Sequence, residues 1–249
     1  MSDSKRDLPA EIKILFYGFP GRAARGYLGW SSVVLINGEK KILFDTGNWG
    51  DREELVRRLR SEGIGPEDVN IVILSHLHFD HCINVPLFEK AQVILSEKEL
   101  DYAYREKGDL FIPDTITDYL QSIKDRVTLI GGDTVLDERI TLIETPGHTP
   151  GSISCLYEGG DLKVLLAGDA VKNSYEFISG CVDMTKNQNV SKATIERIRQ
   201  IANVIIPGHD RPFWHKEGQI LYLSESEFEF MVRASPYSEG WTKFKISFA

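Results

Sequence analysis

Between Ser75 and His81 the chain sets three imidazoles and a carboxylate (His76, His78, Asp80 and His81) within six positions, directly after the apolar run Ile71-Val72-Ile73-Leu74. Such a run reads as a buried strand, so its donors lie on the loop where the strand ends. Solvated loop histidines are the plain alternative. The density argues against it, because imidazole nitrogen and carboxylate oxygen are ligands that suit Zn²⁺, Fe or Mn²⁺. In an extended loop His76 and His78 project the same way, while Asp80 and His81 diverge from them. That arrangement suits two ions better than one.

Three further donors occupy equivalent places. His148 follows Ile140-Thr141-Leu142-Ile143 and the turn Thr145-Pro146-Gly147. Asp169 follows Val164-Leu165-Leu166-Ala167-Gly168, and His209 follows Val204-Ile205-Ile206-Pro207-Gly208. Each lies past a short β-like run with a glycine directly before it, where the backbone can turn sharply and approach a neighbour closely. Strand ends that share a rim converge, so all seven donors are able to meet. His215, between Trp214 and Lys216, reads instead as a surface or packing histidine.

The set His-x-His-x-Asp-His, a distant Gly-His, Gly-Asp and Pro-Gly-His resembles the signature series of the metallo-β-lactamase superfamily, over about residues 12 to 212. The resemblance implies an α/β, four-layer αββα sandwich with two similar halves and a dinuclear site on one edge of its two sheets. It implies His76, His78 and His148 around a first metal, and Asp80, His81 and His209 around a second. Asp169 would bridge both, beside a shared hydroxide. Asp45, in Asp45-Thr46-Gly47 after the strand Lys41-Ile42-Leu43-Phe44, takes the place of a carboxylate behind the metal ligands. Aspartic proteases also carry Asp-Thr-Gly, but they need two such carboxylates, and no second one occurs here.

Two divalent ions lower the pKa of a shared water, which gives metal-assisted hydrolysis of a carbonyl or phosphorus centre. Asp80 could then pass a proton to the leaving atom. Zinc leads as the metal, with iron or manganese suited to the same donors. Within the family, histidine at 78 departs from the flavo-diiron oxidoreductases, which place glutamate there. Asp169 departs from the lactamases with a cysteine ligand, and Cys82 reads as a buried filler. The extra domain of β-CASP enzymes and the exosite arm of transfer-RNA processing enzymes do not appear. The glyoxalase II type of thioesterase usually shows Gly-Cys-Gly-Arg after the bridging aspartate, whereas this chain has Ala170-Val171-Lys172-Asn173-Ser174-Tyr175. Quorum-quenching lactonases share the Ser-His-Leu-His-Phe-Asp-His pattern but place tyrosine where Lys172 stands. Lys172 is a candidate electrophile in its stead, with Tyr175 the nearest tyrosine.

A lactone or similar carboxylic ester is therefore the leading substrate. The segments 81–88 and 206–213 are similar to compact domain-only members, at least one of which has been assigned nuclease activity, so a phosphodiesterase is the rival. An inactive metal-binding module is the third reading. The formal charge of −8 argues against a general nucleic-acid binder. Leu55, Val56 and Leu59 mark the apolar face of a helix, and the arginines of Arg57-Arg58-Leu59-Arg60 read as its solvated side, paired in part with Glu53 and Glu54.

At 249 residues, 42% hydrophobic and 27% charged, the chain suits one soluble domain. Its polar start and the lack of a long apolar run predict a cytoplasmic protein without a membrane span. Three cysteines without paired spacing agree with a reducing compartment. Strands are predicted over 12–16 and 32–36, the latter leading into the hairpin signal Asn37-Gly38. A further strand over Val93-Ile94-Leu95 leads into Ser96-Glu97-Lys98-Glu99, a capping-box pattern opening a helix. The stretch 101–126 reads as a helical excursion whose aromatics (Tyr102, Tyr104, Phe111, Tyr119) pack on the sheet or wall a pocket. A later helix has Ala193, Ile195, Ile198 and Ile201 as its apolar residues. Residues 213–249 form an extension with strand-like alternation, suited to an edge or to a homodimer contact.

Overall fold

The computed structural model describes residues 7–105, 109–216, 218–224, 226–233 and 240–248. Its first sheet is built from β1 (Ile12–Phe16), β4 (Val33–Asn37), β5 (Lys41–Phe44), β6 (Ile71–Ile73), β7 (Gln92–Ser96) and β8 (Val127–Ile130), in that order. Strands β1, β4 and β5 pair antiparallel, and from β5 to β8 the pairing is parallel. The second sheet runs β15 (Gln219–Tyr222), β14 (Phe213–Lys216), β13 (Val204–Pro207), β12 (Leu162–Gly168), β11 (Ile153–Gly159), β10 (Ile140–Glu144) and β9 (Thr134–Val135). Only β12 and β13 are parallel there.

Alternation along the strands sorts side chains between layers. In β5, Ile42 and Phe44 face the second sheet, and Leu43 faces outward onto helices; in β12, Val164 and Leu166 face the first sheet while Leu165 faces out. A strand's period of two makes this division unavoidable once both faces are covered. The outer face of the first sheet packs on α1 (Arg52–Ser61), α3 (Glu97–Arg105) and α4 (Asp114–Ser122), through residues such as Leu55, Leu59, Ile116 and Leu120. The outer face of the second packs on α6 (Gln188–Ile201) and on Phe177 of α5 (Ser174–Ser179). These are the four layers, helix, sheet, sheet, helix. Among the described residues no helix is long and apolar enough to cross a membrane.

Three local expectations change. Ser96 accepts from the Lys98 amide, but Glu99 does not close a capping box; it is wholly buried and turns toward the rim of the sheets. On α6 the buried position is Thr194 rather than Ala193, because the Thr194 hydroxyl donates to the Pro146 carbonyl. On α1 it is Glu54 that pairs, with both Arg57 and Arg58, and Arg58 also reaches the Leu15 carbonyl.

Two small sheets complete the chain. A hairpin of β2 (Arg22–Ala23) and β3 (Gly26–Tyr27) lies at the rim. The tail forms a second hairpin, β16 (Ser226–Val232) on β17 (Thr242–Phe248), paired only with itself among the described residues. Its Phe228 and Phe230 rings stack on Trp30, at 6.4 and 5.3 Å between centroids.

Leu166 is fully buried between the sheets. Leu166→Ala is expected to cost about 2–5 kcal/mol through lost burial and a residual cavity. Urea unfolding at fixed zinc concentration measures it.

Candidate metal centre

Every expected donor lies just past the carboxyl end of a strand on one shared rim. The loop after β6 carries His76 and His78 and leads into α2 (Phe79–Cys82), which carries Asp80 and His81. His148 follows β10, Asp169 follows β12 directly, and His209 follows β13. Two glycines make the convergence possible. Gly168 sits at φ 52°, ψ −145°, and a Cβ there would lie 2.6 Å from the Ser75 Cβ. A Cβ on Gly208 would lie 2.2 Å from Asp169 Oδ1. No side chain fits at either place.

The donor atoms of His76, His78 and His148 lie within 4.8 Å of one another, as do those of Asp80, His81 and His209. Those of His76, His81 and Asp169 form a third such group between them. His78 Nδ1 is 3.0 Å from His148 Nε2, and Asp169 Oδ1 is 3.3 Å from both His81 Nε2 and His209 Nε2. Asp169 Oδ2 is 3.3 Å from His148 Nε2, and Asp80 Oδ2 is 3.4 Å from His209 Nε2. These approaches leave no hydrogen bond at His76 Nε2, His81 Nε2 or Asp169 Oδ1, all of them buried. Buried lone pairs without partners are costly. Divalent cations fit this arrangement, because nitrogen- and oxygen-rich clusters supply the ligands that such ions take.

The electrostatics point the same way. Burial and the neighbouring His81, His78 and His148 rings push His76 well below the usual histidine range. Burial likewise pushes His148 well down, so both rings are neutral, as metal ligands must be. Burial opposes ionisation of Asp169, yet His209, His81 and His148 hold its carboxyl well below the usual carboxylate range. Burial also opposes a charge on His81, but Asp169, Asp45 and Asp80 around it favour positive charge strongly. The centre of the rim is a place where cations belong.

The rings are oriented from behind. Asp45 Oδ2 accepts from His81 Nδ1 at 2.7 Å, and Asp45 itself accepts from the Ser75 amide and hydroxyl. Asp45 adopts φ 59°, a left-handed conformation that a small polar residue tolerates best. Ser75 Oγ is 2.9 Å from His76 Nδ1, and the Trp30 carbonyl is 3.0 Å from His209 Nδ1. Glu99 accepts from the Leu77 amide on one oxygen and from the Thr149 hydroxyl and Gly151 amide on the other. It thereby clamps the loop of His76 and His78 to the loop of His148. Sequence spacing pointed Glu99 toward its own helix and gave no sign of this role.

A cleft of about 300 Å³ opens onto the donors. Its walls include Phe19, Tyr27, Phe79, Phe111 and Met184, with Arg22 from the β2–β3 hairpin at the mouth. Lys172 lines it too, but its ammonium donates to the Asp183 carbonyl at 2.6 Å and pairs with buried Glu176 at 3.1 Å. Tyr175 is 71% exposed and is not among the lining residues. Of the 101–126 aromatics only Phe111 reaches the cleft; Tyr102 bonds Asp109, Tyr104 is exposed, and Tyr119 packs on the core. Cys82 is buried with its thiol 3.3 Å from the Leu77 carbonyl. His215 packs on Phe177 and bonds the Ala202 carbonyl.

Residues 26–209 match the sequence profile of the Metallo-beta-lactamase superfamily. Metallo-beta-lactamase domain-containing protein 1 of Xenopus laevis is 33% identical over 190 residues, 73% of this chain and 71% of the relative. An N-acyl homoserine lactonase of a Bacillus species is 27% identical over 165 residues, covering 64% of this chain and 63% of its own. The solved structure of a dizinc quorum-quenching lactonase in complex with the product N-hexanoyl-L-homoserine overlays with a TM-score of 0.64 at 21% identity, over 79% of each chain. That last likeness establishes the fold.

Asp45→Asn removes the carboxylate that orients His81. Zinc affinity is expected to fall about 10–100-fold, as when other partners behind metal ligands are lost. Competition with a chromophoric chelator reads the change.

Proposed function

The chain belongs to the metallo-beta-lactamase superfamily, and on that premise we propose that it is a dinuclear metal-dependent hydrolase acting on a lactone or similar carboxylic ester. In this reading His76, His78 and His148 hold one ion, Asp80, His81 and His209 hold the other, and Asp169 spans both. Zinc is the metal proposed, since all seven of these donors are borderline nitrogens or compact carboxylates. Bound there, two divalent ions would lower the pKa of a shared water and polarise a substrate oxygen.

The observation that carries the substrate class is the character of the cleft. Four aromatic rings and a methionine wall it, which suits an acyl chain or another apolar group. Apart from the carboxylates given to the ions, Glu176 and Asp183 match Arg22 and Lys172, so the walls carry no excess of basic side chains. A groove that tracks a phosphate backbone needs such an excess. The name and bound product of the two lactonases support the same class.

Within the site, the chain's own groups divide the work. Lys172 has three donors and spends two on Asp183 and Glu176. Its remaining N–H is proposed to meet a substrate oxygen, which makes it a fixed electrophile rather than a mobile one. Asp80, at the cleft with Oδ2 turned to His209 at 3.4 Å, is proposed to take up on Oδ1 the proton lost by the attacking water and to pass it to the departing alkoxide. Phe79 and Phe111, stacked 6.3 Å apart, keep water from the acyl side.

Three results test this. Chelation is expected to abolish hydrolysis, and added zinc to restore it. On reconstituted protein, an acyl lactone should be opened faster than an aryl phosphodiester is cleaved. Asp80→Asn should lower the lactone rate by about 10²–10⁴-fold with the fold retained. Faster phosphodiester cleavage would remove the ester assignment, and an unchanged rate in Asp80→Asn would remove the role given to Asp80.

A further inference from the structure

Four of the rim histidines have a partner behind the ring, and one of them is turned the other way. His76, His81 and His209 meet Ser75, Asp45 and the Trp30 carbonyl through Nδ1, which leaves Nε2 inward. His78 has Nδ1 inward, 3.0 Å from His148 Nε2, and its Nε2 points back toward Asp109 Oδ2 at 3.5 Å. A neutral imidazole carries one proton, so a carboxylate at Nε2 fixes that proton there and leaves the Nδ1 lone pair for a metal.

Asp109 is itself held for the purpose. Its side chain is 3% exposed. Oδ2 accepts from the Tyr102 hydroxyl at 2.6 Å and pairs with Lys186 at 3.0 Å, while Oδ1 accepts from the Phe111 amide at 3.0 Å. The His78 ring nearby, with Tyr102, the Phe111 amide and Lys186, holds its carboxyl well below the usual carboxylate range against the opposition of burial. Its segment is also fastened to the metal loop, since the Phe79 amide donates to the Phe111 carbonyl at 2.8 Å. Lys186 reaches the other side, with its own amide bonded to the carbonyls of Gly147 and His148. One carboxylate thus stands between the loop of His78 and the loop of His148.

We propose that Asp109 is a positioning residue that fixes His78 as an Nδ1 ligand and thereby couples the 101–126 excursion to metal binding. The proposal rests on the dinuclear reading above. An amide in its place is neutral, and it can present its NH₂ to Nε2, which favours the wrong tautomer. Tyr102→Phe removes only one support of Asp109 and makes a graded control.

The test is zinc binding to the full chain by chelator competition, together with the visible spectrum of the cobalt(II) form. In Asp109→Asn one of two ions is expected to bind about 10–100-fold more weakly, with an altered cobalt spectrum. Tyr102→Phe should shift affinity in the same direction by less, and Asp109→Glu should restore part of it. The metal-free melting temperature should not change. Wild-type affinity and spectrum in Asp109→Asn would overturn the proposal alone. So would a metal-free melting temperature that falls as far as the metal-loaded one, which marks a merely structural role. A wild-type protein that binds no zinc would overturn both this proposal and the dinuclear reading.

Discussion

The arrangement depends on how closely two sheets can approach at one end. The Ser32 amide donates to the Gly208 carbonyl, the Ile153 amide to the Ser75 carbonyl, and the Gly208 amide to the Gly168 carbonyl, all between 2.7 and 3.0 Å. These bonds stitch β4 to the end of β13, β6 to the start of β11, and β12 to β13 beyond their ladders. They are backbone bonds, so they demand that backbones touch, and only glycine at 168 and 208 permits that. With the rims joined, loops that are distant in the chain deliver imidazoles into one small volume. The negative charge of Asp45, Asp80 and Asp169 then collects where the rings face inward.

Much of this was legible in the residue order because the relevant signals are local. The run from His76 to His81 sits directly after an apolar strand, and a glycine precedes each of His148, Asp169 and His209. The near-continuous burial of β5, β12 and β13 follows from their apolar runs. What could not be read are the destinations of side chains across the fold. Glu99 carries the spacing of a capping box, yet burial beside Leu77 and Thr149 offers it better partners than its own helix end. Asp109 lies in the least patterned stretch of the body, and its partners come from 31 positions before it and 77 after (His78 and Lys186). The β2–β3 hairpin is too short to announce itself, although it supplies Arg22 and Tyr27 to the cleft.

Lys172 shows how context changes a residue's chemistry without moving it. Its position after Asp169 is one from which a lysine is able to polarise a carbonyl. Glu176, 2% exposed, neutralises it, and the Asp183 carbonyl fixes its direction. A free ammonium on a flexible stem would attract anions of many shapes. Pinned in this way, it presents one donor along one line, so the cleft combines an apolar wall with a narrow polar point.

Trp30 joins two parts of the molecule that share no ladder. Its carbonyl steadies His209, while its ring lies under Phe228 and Phe230 of the tail hairpin; Phe19, on the cleft wall, packs edge-on against Trp30 and both of those phenylalanines. The hairpin therefore braces one wall of the cleft from outside the two large sheets. Replacing Phe228 and Phe230 would loosen Phe19 and reshape the opening while leaving every side chain of the histidine-rich rim as it is.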